Sequence, residues 1–120
     1  MTTNTTFDFG SSLKPLFCLE MANNHSGSTE HGIRIVEAAA AIANRTNARV
    51  WLKLQFRELS TFLHPADRGQ DLSDPVTKQA IRFRETELHN SDFDVLIKSA
   101  RDAGIGIYST PFDEPSVDRC

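Results

Sequence analysis

Three short apolar runs, each followed by polar residues and then by apolar residues at helical spacing, fix the fold class of this chain. The first run, Leu16-Phe17-Cys18-Leu19, follows Pro15 and is continuously apolar, which suits a strand buried on both faces. It stops in the polar stretch Glu20 to Ser28. Ser28 or Thr29 can cap a helix there, with Glu30 near its positive end. Ile33, Val36, Ala40 and Ala43 then recur at three- and four-residue steps, predicting an Ala-rich helix of about four turns that ends near Asn44. The second run, Val50 to Phe56, alternates Lys53 and Gln55 with Leu52, Leu54 and Phe56, as a strand does. A long polar stretch, Arg57 to Pro75, follows; loops of that length are uncommon and often functional. A weak helical pattern covers Val76 to Phe83. A clearer one opens at Ser91, with Asp94 at capping-box spacing, an apolar stripe of Phe93, Leu96, Ile97 and Ala100, and Gly104 as its stop. Ile105 to Ser109 is the third strand, Thr110 to Asp113 the loop after it, and Pro115 suits the first turn of another helix.

Strands alternating with helices imply an α/β fold with parallel pairing and right-handed crossovers. Residues 15–120 are expected to form one such βαβαβ unit, and residues 1–14 read as a loose polar leader without the charged and apolar regions of an export signal. The net charge of −3 argues against a general nucleic-acid binder, and no apolar run is long enough to span a bilayer. The two cysteines, Cys18 and Cys120, are too few for a disulfide scaffold or zinc cluster. Cys18 reads as a small buried residue, and a reduced, cytoplasmic setting is expected. The Asn-x-Ser/Thr matches at Asn4, Asn24 and Asn44 read as chance.

Ligands of parallel α/β folds collect at the carboxyl ends of strands. Polar clusters of this chain fall there: Glu20 to His25, then Lys53 and Gln55, then Ser109, Thr110 and Asp113. Glu20 can accept a proton or orient a hydroxyl or water, or it can pair with a neighbouring cation. Lys53, flanked by leucines, needs an anionic partner, which a bound carboxylate or phosphate or a structural Asp or Glu would supply. Gln55 can hold a polyhydroxylated ligand or satisfy a strand-end backbone group. Asn24 and His25 lie in a turn that can face a ligand or simply cap the next helix. Thr110 and adjacent backbone N–H groups can receive an anion, or serve as ordinary capping groups.

These residues also carry a resemblance. Glu20-Met21-Ala22-Asn23-Asn24-His25-Ser26-Gly27 is similar to the Glu-x-Gly/Ala-x-Asn-His-x-Gly signature of the sialic acid synthase family, the N-acetylneuraminate synthases and their relatives. Lys53-Leu54-Gln55-Phe56 resembles the family's Lys-Phe-Gln strand end. Ser109-Thr110-Pro111-Phe112-Asp113 with Ser116-Val117-Asp118 resembles its Ser-Thr-Pro-Phe-Asp and Ser-Val-Asp block, and Arg82 to Leu88 is a looser fourth match.

The resemblance implies a (β/α)₈ barrel of the TIM type, of which this chain supplies about three units and stops before the rest. It implies condensation of phosphoenolpyruvate with an N-acetylated amino sugar of the N-acetylmannosamine type, giving a nine-carbon 2-keto sugar acid and phosphate. Lys53 and Thr110 would contact phosphoenolpyruvate, Glu20 and Gln55 the sugar or the reactive water, and the Asn24-His25 turn would shape the rim. A divalent metal, Mn²⁺ or Mg²⁺, and a homodimer are implied for the intact enzyme. No metal ligand is assigned in this chain by motif. The isolated chain is expected to be marginally stable and catalytically silent. Another aldol-type or isomerase barrel, or a truncated non-catalytic protein that binds a sugar or partner, would share the strand-end Glu and Lys.

Overall fold

The computed structural model describes residues 15–65 and 75–120. The leader assigned to residues 1–14, and the Gly69 portion of the long polar stretch, lie outside the described residues. Three strands, β1 (Leu16–Glu20), β2 (Arg49–Phe56) and β3 (Gly106–Pro111), form one parallel sheet in the order β1-β2-β3. The α/β class and the parallel βαβαβ rhythm are as expected. Helix α1 (Thr29–Thr46) connects β1 to β2; α2 (Leu59–Phe62), α3 (Pro75–Glu85) and α4 (Asn90–Asp102) lie between β2 and β3; α5 (Glu114–Arg119) follows β3.

Strand β2 carries the core. Val50, Leu52, Leu54 and Phe56 are buried against α1 and α4, while Trp51, Lys53 and Gln55 rise from the opposite face. From α1 come Val36, Ala39 and Ala40; from α4 come Phe93, Leu96 and Ala100. The small alanines let α1 approach both the sheet and α4 closely. Ser28 caps α1, its Oγ accepting from the His31 N–H at 3.1 Å, and Asn47 ends the helix with φ 52°, a left-handed position that asparagine tolerates. The helix thus runs past Asn44. Helix α4 ends as its sequence predicts, with Gly104 at φ 74° and the Ile105 N–H returning to the Ala100 carbonyl. A second cluster, Leu59, Leu63 and Ala80 with Phe62 and Phe83, ties α2 to α3 beside the strand ends.

Three expectations change. Strand β1 is not buried on both faces: Leu16, Phe17 and Leu19 are 40%, 51% and 36% exposed, and Cys18 is exposed too. Among the described residues the strand is an edge, hydrogen-bonded to β2, and α1 leans over β2 toward α4. Helix α4 starts at Asn90, with the Asp92 carboxylate accepting from the His89 N–H at 2.9 Å, so the reciprocal cap is two residues earlier than Ser91 and Asp94. Asp94 instead pairs with Arg119 at 2.7 Å, pinning α5 to α4. Thr110 and Pro111 belong to β3 rather than to the following loop, because Gln55 and Phe56 extend the ladder to meet them.

Candidate functional site

Parallel register decides which side chains share a face. Glu20 is level with Lys53, Lys53 with Tyr108, and Gln55 with Thr110. In-register neighbours of a parallel sheet point to the same side, so Glu20, Lys53, Gln55 and Thr110 all rise from the face opposite the helices, at its carboxyl end. Below them on that face lies an aromatic floor: Trp51 and Tyr108 have ring centroids 6.3 Å apart. Gly106 makes room for it, since a Cβ there would stand 2.4 Å from the Trp51 indole. The Tyr108 phenol is pushed above its ordinary value, first by burial and then by the neighbouring Cys18 thiol and the Glu20 charge.

Lys53 and Glu20 meet directly, Nζ to Oε1 at 3.2 Å, with the lysine side chain 21% and the glutamate 58% exposed. The anionic partner that Lys53 needs is the carboxylate one strand over. An exposed pair of this kind contributes only ~0–1 kcal/mol, so it can yield to a ligand of higher charge. Thr110, half-buried, is the cross-strand neighbour of Gln55.

The segment after β1 is a chain of tight turns. The Asn24 N–H donates to the Met21 carbonyl, Ser26 to Asn23 and Ser28 to His25, each at 2.9 Å. Gly27 closes it at φ 73°, where a Cβ would lie 2.8 Å from the Glu85 carbonyl oxygen, so only glycine lets the turn sit on the end of α3. Asn24 is exposed. His25 is buried, 3% exposed, and its Nδ1 accepts from the Gly27 N–H at 3.1 Å. That bond places the ring proton on Nε2. Burial lowers the His25 pKa, and the charges of His31 and Arg57 lower it further. His25 thus lies within the turn, sharing a small recess with Asn23, Gln55 and Arg57.

Asp113 occupies the helix start after β3. Its Oδ1 accepts from the Ser116 N–H at 2.9 Å and its Oδ2 from the Glu58 N–H at 2.7 Å. The anion position near Thr110 at that helix start is therefore filled by the chain's own carboxylate, which also staples the β2 and β3 loops together. Motif reading passed over Arg57, although its odd-numbered place after Lys53 and Gln55 marks it for the same face. Its NH2 donates to Gln55 Oε1 at 3.1 Å. Among the described residues no three His, Cys, Asp or Glu side chains group as a metal ion would require, and no helix is long and apolar enough to cross a membrane.

Comparison with known proteins gives this geometry a context. A family model described as the NeuB family matches residues 35–120. The match begins within α1, so Glu20 and the turn through Gly27 precede it. The fold is similar to that of spore coat polysaccharide biosynthesis protein E from Chromobacterium violaceum, at 39% identity and a TM-score of 0.75 over 88% of this chain. It is also similar to N-acetylneuraminic acid synthetase from Leptospira borgpetersenii, at 21% identity and a TM-score of 0.60 over 85% of this chain; that likeness concerns the fold alone. The chain spans 30% of the length of each of these two structures. No curated protein sequence matches it. With most of its length matched by the family model and its βαβαβ frame of the TIM-barrel type, the chain belongs to the NeuB family.

Proposed function

We propose that this chain forms the wall of a sialic acid synthase-like active site that receives phosphoenolpyruvate and an N-acetylated amino sugar. The observation that carries the reading is the placement of Glu20, Lys53, Gln55 and Thr110 on one face and one end of a parallel sheet, reached from three separate strands. Phosphoenolpyruvate is highly charged and suits the cation of Lys53 and the hydroxyl of Thr110. The sugar is neutral and hydroxyl-rich, and suits the amide of Gln55 and the carboxylate of Glu20. In the condensation, a carbon–carbon bond forms between phosphoenolpyruvate and the sugar aldehyde, water adds to the developing oxocarbenium carbon, and phosphate leaves. Glu20 stands where its negative charge would favour that cationic character, and Lys53 beside it would hold the anion.

The family resemblance implies a divalent metal that polarises the aldehyde. The described residues do not offer a ligand set for it, and no step of this reading runs through it. Calorimetric titration of the chain tests the proposal. Phosphoenolpyruvate should bind, K53A should abolish binding, and aldose phosphates should compete poorly. Binding that is indifferent to K53A, or stronger for aldose phosphates, overturns the reading in favour of another aldol-type or isomerase barrel.

A further inference from the structure

Arg57 follows Gln55 by two residues and stands at the same strand end. Its guanidinium lies among the rings of Phe62, Phe83 and Phe112, at 5.1, 4.1 and 4.9 Å from their centroids. Those rings pack on one another, Phe62 meeting Phe83 at 5.6 Å and Phe112 at 6.0 Å, both edge to face. They come from α2, α3 and the segment after β3, so the cage is a unit closed by tertiary packing. Burial draws the Arg57 pKa down and the charge of Asp113 pulls it back up; an arginine nonetheless keeps its proton in a folded protein.

From this cage the guanidinium reaches toward the site. NH2 donates to Gln55 Oε1 at 3.1 Å and NH1 to Asn23 Oδ1 at 3.5 Å. A guanidinium has donors and no acceptor. The Gln55 atom that faces it must therefore be the carbonyl oxygen, because a flipped amide would set NH2 against a cation. The Gln55 NH2 is left on the other side, with no partner among the described residues.

We propose that Arg57 is a positioning residue: held by three phenylalanines, it fixes the polarity of the Gln55 amide so that Gln55 offers N–H donors and selects a ligand with an acceptor oxygen there. The identity of that ligand as an amino sugar rests on the function proposed above; the polarity of the amide does not. The side chain most exposed to a change at position 57 is then Gln55, whereas Lys53 has its own partner in Glu20.

Nuclear magnetic resonance of the ¹⁵N-labelled chain tests the polarity without any ligand. Met fills the cage but donates nothing, and Lys donates but cannot stack as a plane. In R57M the Gln55 side-chain NH₂ signals should move, while in R57K they should stay near their original positions. Titration with N-acetylmannosamine should then weaken about tenfold in R57M, the worth of one well-aimed hydrogen bond, with phosphoenolpyruvate changed less than about twofold. Q55E provides the check if R57M does not fold, since a carboxylate still accepts from Arg57 but donates nothing. It should keep the fold and lose the sugar. Unchanged Gln55 signals in R57M, equal losses for both ligands, or sugar binding intact in Q55E would overturn the proposal. If the unaltered chain binds neither ligand, the functional reading fails, and the Gln55 signals still decide the role of Arg57.

Discussion

Lys53 Nζ and Glu20 Oε1 stand 3.2 Å apart across the β1–β2 ladder, at the carboxyl ends of two strands that the sequence separates by a whole helix. The contact is a solvent-facing ion pair, and its consequence is competitive. A phosphate or carboxylate approaching Lys53 competes with Glu20 for its charge. E20Q should therefore change the urea midpoint by little, as befits ~0–1 kcal/mol, yet raise the affinity for phosphoenolpyruvate at low salt. Equilibrium unfolding and calorimetry on the same variant check both halves.

His25 predicts an acid-sensitive fold. Its pKa is lowered in the folded chain, by burial first and by His31 and Arg57 next, relative to the ordinary 6.5. Below pH 6.5 the unfolded chain takes up a proton that the folded chain refuses, so folding stability is lost as pH falls from the unfolded value toward the depressed folded one. Unfolding midpoints should decline through that window, and H25Q should flatten the decline. H25A should also cost about 1 kcal/mol at neutral pH, because the part-buried hydrogen bond from the Gly27 N–H is lost.

Asp92 joins the starts of two helices. Its Oδ1 accepts from the Thr29 hydroxyl at 2.8 Å and its Oδ2 from the His89 N–H at 2.9 Å. The Thr29 hydrogen bond and then the His89 one hold its pKa below the ordinary 3.8. The stability it contributes is present above that value and is lost as pH falls through the folded-state pKa. D92A should cost about 1–2 kcal/mol at pH 7, the usual worth of a helix cap, measured by thermal or urea unfolding.

Gly106 predicts an optical signal. A Cβ at this position would meet three indole atoms of Trp51 at 2.4 to 2.7 Å, so the ring must move. Trp51 is the chain's only tryptophan. G106A should shift its fluorescence toward longer wavelength and destabilise the sheet by about 1–3 kcal/mol, whereas an unchanged spectrum would mean that the floor of the site is looser than the geometry requires.

Much of this architecture is legible in the residues themselves. The two-residue alternation of β2 separates a buried Leu52, Leu54 and Phe56 from an open Lys53 and Gln55, and the helix stripes of α1 and α4 are read at three- and four-residue steps. What local pattern does not carry is the outcome of packing. Leu16 to Leu19 look like a strand buried on both sides, but burial depends on where α1 leans, and it leans away. Asp94 has the spacing of a cap, but Asp92 reaches the His89 N–H first and Arg119 takes Asp94. The cage around Arg57 draws Phe62, Phe83 and Phe112 from three distant segments, and no spacing rule joins them. The site residues Glu20, Lys53, Gln55 and Thr110 were approachable because strand ends in a parallel sheet gather on one rim whatever the helices do.

Crystals of the chain grown with phosphoenolpyruvate test the central claim most directly. The account predicts density bridging Lys53 Nζ and the Thr110 hydroxyl at the carboxyl end of the sheet, with the Glu20 carboxylate turned away from Lys53. Phosphoenolpyruvate bound near Arg49 at the opposite end, with the Glu20–Lys53 pair intact, would contradict it.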